Sequence, residues 1–409
     1  MKKRIALLIC LAMLAVPMSG CYYLDESPYG QSVPTGEETL SQEDLVQQID
    51  PQLDELGGTT IDYNAAFAVY APDTVMIRAG DHEITWEVLF FFLHGTIQNL
   101  ISSLGSIESW TEHLYADYSA EDMVLSDALD VILLYAALET CAASAGVTVN
   151  DDFNAVVDAE FASTAETYGG EEAFLELLWE EDGIHSREVY NYLVYISELA
   201  NQYFRYEFGE HGEKLSDDDI AEFTAGDGYL MAKHILRLKA DHTEHDGSVA
   251  ADVCTECKEL NAAALKQTEE ISAELNKLSD DGGNPDEYFD GYVAEYSEDT
   301  GSETYPNGYL FQSGDMVEEF YNECLNLDIG TYGDIIETTY GYHIVYRLPI
   351  NYDENPISAS YGGDTRTLRE IVAYTMLDST LNSFRETITA NYTDEYNFMD
   401  FPSIFILGY

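Results

Sequence analysis

Two histidines fall in segments that read as buried strands. In Tyr229–Lys239, Leu230, Ala232, His234, Leu236 and Leu238 alternate with Met231, Lys233, Ile235, Arg237 and Lys239. That is the pattern of a half-buried strand with an imidazole on its apolar face. His343 lies in Tyr342–Leu348, the second of two strands expected around a Tyr340-Gly341 turn, the first being Ile335–Thr339. A histidine so placed is ordinarily a hydrogen-bonded core residue, and a catalytic network and a core polar network look alike. Met316 and Phe320, at i and i+4, share one face if their segment is helical, a spacing that serves a core as readily as a binding cup. His242-x-x-His245 and Cys254-x-x-Cys257 could furnish four zinc ligands. Two short pairs are also compatible with a solvated loop holding two thiols at a helix start, or with a Cys254–Cys257 disulfide outside the cytoplasm.

The elements that must carry these residues fall into two textures. From Tyr63 to about Phe223 the pattern is helical. Thr85 is placed to cap a helix through Leu104, with Leu89, Leu93, Ile97, Leu100 and Leu104 in one stripe. A second helix is expected over 122–144, closed by Gly146, and a third opens at Asn150-Asp151-Asp152. Helices over 171–180, 187–208 and 217–223 follow, the last opened by Ser216 with Asp219 three positions on. Beyond the Tyr229–Lys239 strand, 257–279 is amphipathic with Leu260, Ala264, Ile271, Leu275 and Leu278 in register. Asn284-Pro285-Asp286-Glu287 restarts a helix with a cap, a first-turn proline and two acids. A last helix is expected over about 365–390, before a tail ending Phe405-Ile406-Leu407-Gly408-Tyr409.

The N-terminus reads as a secretory signal. Lys2, Lys3 and Arg4 precede an apolar run from Ile5 to Val16, too short to span a bilayer. Met18-Ser19-Gly20-Cys21 resembles a bacterial lipobox, which implies lipidation of Cys21 and stable anchoring by two acyl chains. No other segment is expected to cross a membrane. Residues 22 to about 60, rich in Gly, Ser, Thr, Pro, Glu and Gln, suit a flexible tether spanning ~35 Å as a coil. The 409-residue chain carries 17 basic against 77 acidic residues, a net charge of −60. Such a field repels nucleic acid and anionic lipid headgroups, so both drop out as partners. Its length predicts two or three domains.

Four segments in a fixed order resemble parvulin-type peptidyl-prolyl isomerases: Ala232-Lys233-His234-Ile235-Leu236, Tyr296-Ser297-Glu298-Asp299, Gly314-Asp315-Met316-Val317-Glu318-Glu319-Phe320, and Gly341-Tyr342-His343-Ile344-Val345. The resemblance implies that His234, Asp299 and His343 form the catalytic polar network and that Met316, Phe320 and Phe311 form an apolar cup for the proline ring. Asp299 occupies the position where the family carries cysteine or aspartate. The family's Gly-Asp-Leu-Gly stretch is here Asn307-Gly308-Tyr309-Leu310-Phe311, so the leucine that often walls the cup is missing, or replaced by Leu310 in a shifted register. Ile77–Thr85 and Ala145–Asn150 are similar to helix boundaries of SurA- and PrsA-like chaperones.

The expected fold class is α+β: a helical chaperone domain (61–225) with an inserted parvulin domain (226–350), a small antiparallel sheet surrounded by helices. A signal (1–20) and tether (21–60) precede them, and a C-terminal helix and tail (351–409) pack back on the helical domain. The function this implies is a lipid-anchored foldase on the outer face of a bacterial, Gram-positive cytoplasmic membrane. It would isomerise X-Pro bonds in unfolded, newly exported clients, with no cofactor. A parvulin fold that only holds clients is the first alternative. A solute-binding lipoprotein is the second, and it would need more parallel strands than the sequence offers.

Overall fold

A computed structural model of the chain describes residues 59–115, 118–150, 152–240, 254–357, 360–361 and 364–408. The signal, nearly all of the tether, Cys21, His242 and His245 lie outside the described residues. The chain divides into two compact units, one running to Glu207 and resuming at Met376–Tyr409, the other spanning Phe208–Thr375.

In the first unit, the helices Trp86–Leu104, Ala120–Ala145, Phe153–Thr167, Glu171–Asp182 and Arg187–Phe208 follow the expected series. Trp86, Leu89, Phe90, Leu93 and Ile97 bury one stripe of the first of these, at helical spacing. Thr85 stands at its N-cap without a side-chain cap bond, because it is also the last residue of a strand. That strand, His82–Thr85, pairs antiparallel with Val75–Ala79 around Gly80, whose φ of +58° suits the tight turn. A third short strand, Ala390–Tyr392, pairs on the other edge, Ile77 opposite Tyr392 and Ala79 opposite Ala390. Strands of three to five residues leave too little alternation to be read from sequence.

Ala120–Ala145 starts earlier than expected, at a Ser119–Asp122 capping box, and closes on Gly146 in the left-handed conformation. This helix is long and apolar enough to cross a membrane by length and composition, so the expectation that no segment beyond the N-terminus could do so does not hold. In the fold it buries Val124, Ala128, Ile132, Tyr135, Leu138 and Ala142. Near the C-terminus, Phe401 and Phe405 are fully buried, and the Trp110 indole N–H donates to the Phe405 carbonyl.

The second unit is built on a four-stranded antiparallel sheet in the order Tyr309–Phe311, Leu230–Leu238, Gly341–Leu348, Tyr332–Glu337. Leu230–Leu238 is central and covered on both faces, not half-buried as its alternation implied. Ile235 and Ile344 face Ile271 and Leu275 of the Thr255–Asp280 helix and Phe289 of the Pro285–Tyr296 helix. Ala232 and Val345 face Phe320 and Cys324 of the Glu318–Asn326 helix. The periodicity was therefore genuine, but each of its two faces meets a helical layer. Leu260, expected in the apolar stripe of the long helix, is 48% exposed, and the buried seam runs Cys257, Ala264, Thr268, Ile271, Leu275. Asn284 caps the next helix as expected, accepting from Asp286 N–H at 3.3 Å.

Candidate active site

Antiparallel pairing of the two central strands sets His234 opposite Val345 and Leu236 opposite His343. The imidazoles are thus diagonal neighbours on one face, close enough to touch. Their Nδ1 atoms are 3.1 Å apart, and both side chains are buried. The segment that follows the Pro285–Tyr296 helix is laced to the same strand. Leu236 N–H donates to Ser297 Oγ at 3.1 Å, and Glu298 N–H donates to the Leu236 carbonyl at 2.8 Å. That lacing delivers Asp299, whose Oδ2 lies 2.8 Å from His234 Nε2. The same oxygen accepts the Tyr309 hydroxyl at 2.5 Å, while Oδ1 accepts the Gly301 N–H at 3.1 Å. At the other end, His343 Nε2 lies 2.8 Å from Thr338 Oγ1.

The direction of this run follows from Thr338. Its Oγ1 accepts from Tyr340 N–H at 3.1 Å and Gly341 N–H at 3.4 Å. Both lone pairs are thereby engaged, so its own O–H donates to His343 Nε2. His343 must then donate from Nδ1 to His234 Nδ1, and His234 from Nε2 to the Asp299 carboxylate. Every link has one donor and one acceptor, with both imidazoles neutral and Asp299 ionised. The electrostatics agree. Burial above all lowers His343 to about 3. Burial alone would raise Asp299, but the hydrogen bonds from His234, Tyr309 and the Gly301 N–H hold it down, at about 2. Burial and the adjacent Asp299 carboxylate push the Tyr309 phenol far up.

Against this polar run stands an aromatic group. The Phe320 ring is edge-on to His234 at 5.1 Å and to His343 at 5.9 Å, and its centroid is 5.6 Å from that of Phe311. Phe311 and Phe320 are buried, and Met316 packs half-exposed against them. Met316 does not share a helical face with Phe320, because the helix begins only at Glu318. Met316 instead closes the Ser313–Met316 turn, where Gly314 has φ of +94°. Leu310 does not replace the missing cup leucine. It is fully buried between two residues of the edge strand, Tyr309 and Phe311, that pack in the cluster with Phe320 and do not include it. The ring on the cup side is therefore Tyr309.

The structure thus brings together His234, Asp299, His343, Met316, Phe320 and Phe311. Tyr309 and Thr338 belong to the same arrangement and were not singled out from the sequence. Tyr309 was legible in principle, two residues from Phe311 on one strand face, whereas Thr338 reaches His343 only because the turn folds back. Cys254 caps the Thr255–Asp280 helix, its Sγ accepting from Cys257 N–H at 3.5 Å. Among the described residues no group of three or more His, Cys, Asp or Glu side chains is arranged to hold a metal.

Residues 253–348 match the family described as rotamase, the PPIC-type PPIase domain. The chain therefore carries a parvulin-type peptidyl-prolyl isomerase domain, whose match covers Asp299, Phe311, Met316, Phe320 and His343 and begins after the strand that bears His234. Foldase protein PrsA 3 of Bacillus cereus is 36% identical over 83 residues, 20% of this chain and 28% of that protein. Foldase protein PrsA of a Geobacillus species is 37% identical over 83 residues, 20% of this chain and 26% of that protein. The chain thus spans about a quarter of the length of the curated relatives it matches. Among solved structures it is similar to a peptidylprolyl isomerase (PrsA) from Bacillus anthracis, at 18% identity and TM-score 0.25, covering 64% of this chain and 97% of that one.

Proposed function

We propose that the chain is a lipid-anchored foldase that catalyses cis-trans isomerisation of X-Pro bonds in exported proteins, and that His234, Asp299, His343, Met316, Phe320 and Phe311 form its site. Rotation about an X-Pro amide must pass a barrier of roughly 20 kcal/mol, because it destroys amide resonance. No bond breaks, so a catalyst need only favour the twisted amide over both planar forms. An apolar cup holds the ring, and fixed polar groups follow the carbonyl as it turns. The observation that carries this reading is the saturated run from Thr338 through His343 and His234 to Asp299, packed directly on Phe320. A run with every donor matched has no proton to give away. It serves as a preorganised set of dipoles, and the histidines set its polarity without proton transfer.

Clients are unfolded, newly exported chains, held by the helical unit while their prolines isomerise. The tether and Cys21 keep the foldase at the outer face of the cytoplasmic membrane. One observation favours the second reading, a holdase without catalysis. Phe311 and Phe320 are 0% and 2% exposed, which leaves Met316 as the only accessible member of the expected cup. A protease-coupled isomerisation assay with Ala-Pro test peptides decides between them. Catalysis above buffer, lost in Asp299→Ala and weakened in Met316→Ala, supports the isomerase. No acceleration by the wild type, with suppression of client aggregation intact, refutes it in favour of the holdase.

A further inference from the structure

We propose that Tyr309 is a positioning residue of this site: its hydroxyl keeps Asp299 a carboxylate aimed at His234, and so decides which nitrogen each histidine of the pair presents. The phenol donates to Asp299 Oδ2, the same oxygen that faces His234 Nε2. Three donors thus converge on one half-buried carboxylate, from Tyr309, His234 and the Gly301 backbone. Tyr309 is itself nearly buried at 8% exposure, wedged between the Tyr305 ring at 5.0 Å and the His234 ring at 5.7 Å. Room for the hydroxyl has been left by the backbone opposite. A Cβ on Gly301 would come within 2.3 Å of the Tyr309 oxygen, so the glycine and the tyrosine are matched. Gly301 is not among the residues with positive φ, so its lack of a side chain serves this approach and not a strained turn.

The consequence follows from the direction of the run. Thr338 can only donate to His343, so His343 donates to His234 and His234 donates to Asp299. That order survives only while Asp299 accepts. Protonated on Oδ2, Asp299 would present a donor to a donor, and the conflict would pass along both imidazoles to Thr338; protonated on Oδ1, it would confront the Gly301 N–H instead. The titratable and charged groups facing Asp299 are His234 and Tyr309, with His343 behind His234, Lys239 bearing on His343, and Tyr305 beside Tyr309. Removing the phenol takes away one of three donors while the desolvation of the carboxyl remains, so the proton returns at higher pH.

The isomerase reading is needed only for the activity arm of the test. In the full chain with 15N-labelled histidine, the side-chain 1H–15N spectrum of His234 is followed as pH falls from 7 to 1, in wild type, Tyr309→Phe, Gly301→Ala and Asp299→Asn. The expected result is that Tyr309→Phe moves the onset of the His234 change up by about one pH unit, a tenfold change in the proton affinity of Asp299. Gly301→Ala, whose Cβ would crowd the hydroxyl most closely, should move it in the same direction. Asp299→Asn should abolish the transition, and adding Tyr309→Phe to it should then change nothing. The acid limb of the isomerase rate should move with the spectrum. An onset unmoved in both Tyr309→Phe and Gly301→Ala overturns the proposal, even if rate or stability falls. A wild type with no isomerase activity defeats the reading above it, and the spectrum alone then decides the role of Tyr309.

Discussion

Acid should loosen the sheet of the second unit before any carboxylate in it is protonated, and His343 should be the cause. This imidazole is 3% exposed and is held neutral down to about pH 3 in the folded chain, against an ordinary value of 6.5. A histidine with a depressed folded value takes up its proton only on unfolding, so stability rises with pH between the two values and falls as pH drops below 6.5. From pH 7 to 5 the loss works out at about 2 kcal/mol. Because pH 5 lies well above the folded value, that figure depends little on where the folded value lies. Asp299 adds nothing in this window, since its depressed value contributes stability that is lost only below the ordinary carboxylate range. The measurement is hydrogen exchange of peptides covering 230–238 and 341–348, corrected for intrinsic rates. Protection should fall about 30-fold from pH 7 to 5 in the wild type, the same 2 kcal/mol expressed as an equilibrium. His343→Gln should be less stable at neutral pH and nearly flat across the window. If the His343→Gln slope equals the wild-type slope, the reasoning fails.

Thr338→Val removes the hydroxyl that serves two backbone N–H groups and His343, and should cost about 1–3 kcal/mol in thermal unfolding of the second unit, with Thr338→Ser close to neutral. An unchanged Thr338→Val midpoint would mean that the run is not directed from this end. Cys21→Ala should release the protein from membranes or block its maturation; unchanged membrane retention would refute anchoring at that cysteine. With a net charge of −60, Lys-Pro test peptides should be turned over faster than Glu-Pro ones. The ratio should shrink as salt shortens the Debye length from about 10 Å at 0.1 M, and a ratio indifferent to salt would assign specificity to local residues.

Much of the site was legible because parvulin-like segments carry their own signals. His234 on an alternating strand, His343 beside a tight turn and Asp299 after a capped helix each stand in a local pattern that survives without tertiary information. Helix boundaries were legible for the same reason, as the Ser216–Asp219 capping box and the Asn284-Pro285 start show. Expectations failed at places where local pattern underdetermines packing, as three residues show in addition to the strand expected to be half-buried. Leu260 fits the stripe of its helix by spacing, yet is 48% exposed while Cys257 and Ala264 on either side of it are buried. Met316 and Phe320 are four apart, but the turn at Gly314 delays the helix to Glu318. Leu310 in a shifted register was one alternative for the family's cup leucine, and the alternation of its own strand turns it away from the cup.

The sequence by itself determined the α+β class and the longer helices and strands, because caps, alternation and turn chemistry are short-range properties, while the resemblance to parvulins singled out His234, Asp299, His343, Met316, Phe320 and Phe311. Only the tertiary structure decided which way the hydrogen bonds run and what stands beside the cup. Antiparallel register puts His234 and His343 within 3.1 Å across 109 residues of chain, and the Tyr340-Gly341 turn brings Thr338 back onto His343. Tyr309 reaches Asp299 because Gly301 leaves it space. Distances of this kind depend on pairing between segments remote in sequence, and no local propensity encodes them.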